Sequence, residues 1–162
     1  MPELHELDTG PHGANLKAVV VGAIDEAIRR GAPSVEAEHL LLSIAAGDEV
    51  AARTLAEFGL DQAGIDAALR SEREHALRAA GIEPVAEERL HSTRRSRPGW
   101  GASIREALRR APYRARNRPD RERLAVADTL IGVLRADLGT VPRALAYAGV
   151  DRAALISRLE RL

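Results

Sequence analysis

The chain has 162 residues, no cysteine and equal numbers of basic and acidic side chains, 24 of each, which suits one compact domain or two closely packed halves. Without cysteine there is no disulfide framework, thiol nucleophile or thiolate metal site. No apolar run reaches the ~18 residues of a membrane span, and Glu3, Glu6 and Asp8 replace the basic leader of a signal peptide, so a cytoplasmic location is the default expectation.

Apolar residues make up 45% of the chain and aromatics only 2%. The core must then be Ala, Leu, Ile and Val, which suits closely packed helices. The charge is unevenly spread. Residues 1–70 carry 5 basic and 12 acidic side chains, whereas residues 71–123 carry 14 basic and 8 acidic. A neutral protein with one basic stretch is a poor match to a dedicated nucleic-acid binder.

Residues 1–13 hold Pro2, Gly10 and Pro11 and read as a loose leader. A first helix is expected from about Ala14 to Arg30, with Val20, Ile24, Ala27 and Ile28 at helical spacing, stopped by Gly31 and Pro33. Ser34 is placed to cap the next helix, with Glu36 and Glu38 in its first turn, where the helix dipole favours acids. Leu40, Leu41, Ile44 and Ala45 form its buried side. Asp48 is placed as the N-cap of a third helix, which Gly59 ends; Asp61 caps a fourth carrying Ile65, Leu69 and Leu77.

Residues 81–101 link the two halves, interrupted by Pro84, Pro98, Gly99 and Gly101 and made basic by Arg94, Arg95 and Arg97. Helical patterns resume with Ile104 and Leu108, break at an Arg-rich hydrophilic insertion over 112–123, and return at Ala125 to Ala136, Thr140 to Tyr147 and Asp151 to Leu162. The order of the first half recurs. Ala23–Arg30 matches Ser103–Arg110, Leu41–Ile44 matches Leu130–Val133, and Arg53–Asp61 matches Arg143–Asp151. A repeat that keeps its helix ends and its apolar positions reads as a duplicated unit. The expected fold is all-α, with two pseudo-symmetric four-helix repeats over residues 14–80 and 102–162.

Glu38-His39-Leu40-Leu41-Leu42-Ser43-Ile44, followed by Val50-Ala51-Ala52-Arg53-Thr54-Leu55 and Phe58-Gly59-Leu60-Asp61, resembles one repeat of the Clp N-terminal domain, which precedes the ATPase modules of ClpC- and ClpA-type unfoldases. Leu90-His91-Ser92-Thr93 is similar to the segment that opens the family's second repeat. The resemblance implies two four-helix repeats without catalytic activity or a cofactor. It also implies docking of a Clp ATPase or adaptor, and recognition of arginine-phosphorylated substrates through the Glu before His. Glu38 keeps that acid, whereas the matching position in the second repeat is Ala127, which offers a guanidinium nothing. Cyclic-peptide antibiotics bind some members; here Ser92 stands where one of the groove aromatics is expected. The sequence holds no Gly-x-x-x-x-Gly-Lys-Ser/Thr phosphate loop, so no unfoldase activity is expected of it.

Glu38 and His39 read either as a ligand pair or as a first-turn acid beside a packed or capping histidine. His5, His12, His75 and His91 lack metal-like spacing, and no serine sits in a Gly-x-Ser-x-Gly setting. Thr93 and Arg95, in the linker, are further candidate contacts. Trp100, the only tryptophan, reads as an interface anchor or as a lid over the core. The expected role is a non-enzymatic module that binds protein or peptide. Sequestration of a cyclic peptide between the repeats and nucleic-acid association through the Arg segments are the alternatives.

Overall fold

The structure, a computed structural model, describes residues 16–47, 50–86, 97–114, 119 and 121–162. Eight helices occupy these residues: α1 (Leu16–Arg29), α2 (Ala37–Ala45), α3 (Val50–Glu57), α4 (Gln62–Ala79), α5 (Ala102–Arg110), α6 (Arg121–Leu134), α7 (Thr140–Tyr147) and α8 (Arg152–Glu160). Two short parallel strands, β1 (Ser34–Val35) and β2 (Gly99–Trp100), pair Ser34 with Gly99 and Val35 with Trp100. The protein is mostly helical, as its composition requires.

The core forms around α2 and α6. Leu40, Leu41, Leu42 and Ile44 of α2 and Leu130, Ile131, Val133 and Leu134 of α6 are all buried. Uninterrupted buried runs, four residues in α2 (39–42) and nine in α6 (126–134), rather than a single stripe, mark helices covered on several sides. The other helices surround this pair. α1 packs on α2, and α5 on α6; α2 also meets α3 and α4, while α6 meets α7 and α8. Across the molecule α2 touches α6, α4 lies along α7, and α3 contacts α8.

Small residues bring the first two helix pairs close together. Ser43 of α2 donates from its hydroxyl to the Val19 carbonyl of α1 at 2.7 Å, and a methyl group on Gly22 would meet that hydroxyl. In the α5–α6 pair, a methyl group on Gly132 would be driven into the Ala107 carbonyl and to 3.0 Å from the Ala111 nitrogen. In the sequence repeat, Gly132 is the counterpart of Ser43.

Helix ends follow the local code. Gly59 and Gly149 adopt positive φ (74° and 69°). The next residues, Leu60 and Val150, then donate back to the Leu55 and Leu145 carbonyls, each at 3.0 Å. This closure needs the left-handed conformation that glycine reaches without a Cβ penalty. Asp61 and Asp151 accept from the N–H groups of Gly64 (2.8 Å) and Ala154 (2.9 Å), capping α4 and α8.

Three expectations need correction. The N-cap of α2 is Glu36, not Ser34; Ser34 belongs to β1, and pairing with β2 holds it extended before the helix can start. Glu36 is therefore the cap rather than a first-turn residue. Helix α6 begins at Arg121 instead of Ala125, so the end of the 112–123 insertion is helical. The last residues of the 81–101 linker, Gly99 and Trp100, form a strand against the first half, a pairing with no local signal in so short a run. The expected cap Asp48 lies outside the described residues.

Candidate functional site

The N-termini of α2 and α5 meet end to end where β1 and β2 pair. The Glu36 carboxylate accepts from the Ser103 N–H (3.1 Å) and hydroxyl (2.5 Å) and from the Ser34 hydroxyl (2.8 Å). The Ser103 hydroxyl oxygen in turn accepts from the Ala37 N–H at 2.8 Å. Each helix thus supplies the side chain that satisfies a free N–H at the start of the other. Gly101, the N-cap of α5, leaves the space that the carboxylate fills: any Cβ there would overlap it.

His39 is only 4% exposed, and its Nδ1 accepts from the Glu36 N–H at 2.9 Å. It is a helix-capping group, as in the blander of its two readings, and the ring nitrogen that faces Glu36 is already engaged. Burial, aided by the Arg30 charge, depresses its pKa to about 4 from the ordinary 6.5. The unfolded chain binds the proton more readily, so this contribution is complete above pH 6.5 and is lost as the pH falls toward 4. We expect a loss of about 3 kcal/mol across that window. Urea unfolding at pH 7 and pH 4.5 measures it. His39→Gln, which keeps an acceptor for the cap but does not titrate, should flatten the slope.

Glu38 is half-buried in the first turn of α2, within reach of the charges of Arg30, Glu36 and Glu72. Its neighbours are paired. Arg30 bridges Glu26 (3.2 Å) and Asp66. Arg143 of α7 holds the Glu72 carboxylate of α4, which is 5% exposed, through Nε and a terminal nitrogen, both at 2.8 Å. No side chain hydrogen-bonds the Glu38 carboxylate among the described residues. Burial raises its pKa above the ordinary glutamate value, and the Glu36 and Glu72 carboxylates add to this; its own N–H and Arg30 act in the opposite direction. A carboxylate in this setting is complementary to an incoming cation, and best of all to a planar guanidinium that can bond both oxygens.

Trp100 does not cover the core: it is 45% exposed on β2. Thr93 and Arg95 lie outside the described residues. His39 points into the cap, whereas Trp100 lies on β2 in register with Val35. Sequence reading missed Glu36 as the central residue of this region, because its partner Ser103 is 67 positions away. Among the described residues no group of three or more His, Asp or Glu side chains is arranged to hold a metal ion, and no helix is long and apolar enough to cross a membrane.

Comparison with models of known protein families and with curated proteins found no match.

Proposed function

We propose that this chain is a non-catalytic protein- and peptide-binding module of the Clp N-terminal type, built from two pseudo-symmetric four-helix repeats. In this reading it modulates Clp-dependent proteolysis by docking a Clp ATPase, an adaptor or an arginine-phosphorylated substrate. The duplication is supported by the packing order. Exchanging α1–α4 for α5–α8 turns each main helix contact into another contact that is also made: α1–α2 into α5–α6, α4–α7 into α8–α3, and α2–α5 into α6–α1.

The observation that carries the functional reading is Glu38, a half-buried carboxylate with no side-chain hydrogen-bond partner among the described residues. A charge held this way lowers stability unless a ligand completes it, which is the usual trade at binding sites. The raised pKa fixes the sign: the native state keeps its proton longer than the unfolded chain, so the penalty appears as the pH rises above the ordinary glutamate value. Glu38→Gln is therefore expected to melt at a higher temperature than the wild type at pH 7, and at nearly the same temperature in acid. A carboxylate serving only the helix dipole gives the opposite order.

Isothermal titration with phosphoarginine tests the ligand. Wild type should bind and Glu38→Gln should not; equal heats from the two proteins sink the assignment. Capture of a purified Clp ATPase or adaptor by immobilised protein tests the partner, and failure with all of them removes the regulatory role.

A further inference from the structure

One arginine makes four hydrogen bonds. Arg114, in the link between α5 and α6, donates from its backbone N–H to Asp128 Oδ2 (2.7 Å) and from Nε to Asp128 Oδ1 (2.6 Å). Its two terminal nitrogens donate to the carbonyls of Glu160 (2.7 Å) and Leu159 (3.3 Å) at the end of α8. The receiving side chain Asp128 is 2% exposed, while the Arg114 side chain is 26% exposed. The carboxylate end of the pair is therefore buried and the guanidinium end partly open to solvent.

The groups that hold the guanidinium are all acceptors: the Asp128 carboxylate, the Glu160 carbonyl and the Leu159 carbonyl, which also accepts from the Leu162 N–H at 3.2 Å, at the end of a helix where the dipole is negative. That set complements the five N–H donors of a guanidinium. None of these three groups is a donor for an anion, and a phosphorylated arginine would bring its negative charge against Asp128.

The segment that delivers Arg114 is held under strain. Tyr113, immediately before it, has φ of 52°, the left-handed region that a bulky residue enters at a cost. Such a conformation persists only where neighbouring bonds hold it, and the hydrogen bonds of Arg114 do so, together with one from the Tyr113 hydroxyl to the Leu108 carbonyl at 2.5 Å. The segment belongs to the insertion that the first half lacks.

We infer that Asp128 and the Leu159 and Glu160 carbonyls form a recognition pocket for an unmodified arginine side chain of a partner peptide, and that Arg114 is its internal, displaceable occupant. Binding exchanges one guanidinium for another and releases the strained turn at Tyr113. This site is independent of Glu38 and of the function proposed above.

The probes are methylguanidinium, at concentrations well below denaturing, and a peptide amide with a single arginine. Arg114→Ala, with the pocket vacated, should gain melting temperature saturably with methylguanidinium, whereas the wild type should need about tenfold more of it for the same gain. The arginine peptide should bind the wild type measurably and Arg114→Ala about tenfold more tightly, since no internal competitor has to leave. Phosphoarginine should not stabilise Arg114→Ala, and Asp128→Asn in that background should abolish every gain. If Arg114→Ala is unfolded alone, recovery of its helical circular dichroism on adding methylguanidinium supports the pocket, and no recovery overturns it. The proposal also fails if the gain survives Asp128→Asn, or if the wild type shows no binding of the arginine peptide at all.

Discussion

Replacing Gly132 with alanine is expected to destabilise the protein by about 2–3 kcal/mol, even though alanine is the better helix former by about 1 kcal/mol. The reason is what the added methyl group meets. It would be driven into the Ala107 carbonyl and against the Ala111 nitrogen, both backbone atoms, so α5 and α6 would have to separate along their length. Ile104, Ala107, Leu130 and Ile131, all fully buried beside this contact, would lose packing as they did. Gly132→Val should leave too little stability for a cooperative transition. The control is Gly22→Ala on α1, where the first obstacle is the Ser43 hydroxyl, the end of a side chain that can rotate. That variant should cost no more than about 1 kcal/mol, the weight of one ordinary hydrogen bond. Urea unfolding of the two variants beside the wild type measures the difference. Equal effects would mean that the α5–α6 approach is not limiting.

Removing the Glu36 carboxylate should cost about 2–4 kcal/mol at pH 7. Glu36→Ala takes the acceptor from the Ser103 N–H and from the Ser34 and Ser103 hydroxyls. A lost cap is worth about 1 kcal/mol, and bonds to a charged acceptor somewhat more than neutral ones. The effect is pH-dependent with a definite sign. Burial alone would raise the carboxyl, but the hydrogen bonds from Ser103 and Ser34 outweigh it and hold the Glu36 pKa below the ordinary 4.5. Its contribution is complete above that value and is lost as the pH falls through the lower native one. Wild type and Glu36→Ala should therefore differ most at neutral pH and converge in strong acid. Trp100, on the strand that this contact anchors, supplies a fluorescence readout. A gap that stays constant down to pH 3 would show that the carboxylate charge is not what joins the two helices.

Where a structural element is decided by residues close together in the chain, the sequence predicts it well. Asp61 and Asp151 cap helices three residues ahead, and Gly59 and Gly149 end helices within one turn. Leu40, Leu41 and Ile44, expected on the buried side of α2, are buried, whereas Ala45 is only partly so and Leu42 joins the core instead. Contacts between distant residues are not legible in this way. A two-residue strand has no periodicity, so the β1–β2 pairing could not be seen, and with it went the true cap of α2. The burial of Asp128 under Arg114 is equally hidden, since neither residue type announces a buried ion pair. At the candidate site, Glu38 was visible through its motif, but the pairing of Arg143 with its neighbour Glu72 was not, since only the packing of α4 on α7 brings it about.

The exchange between Glu36 and Ser103 also bears on how the chain reaches its native state. Helix α2, the most buried in the first half, begins with an N–H that is satisfied only after α5 has docked, 66 residues further along the chain. A fragment ending at residue 86 would contain all of α1 to α4 yet lack the hydroxyl that completes α2 and the strand that orders β1. The two halves of the chain are thus not independent folding units. Closing so long a loop before either helix start is complete places this contact late in folding, and the two halves should refold in one concerted step rather than one after the other.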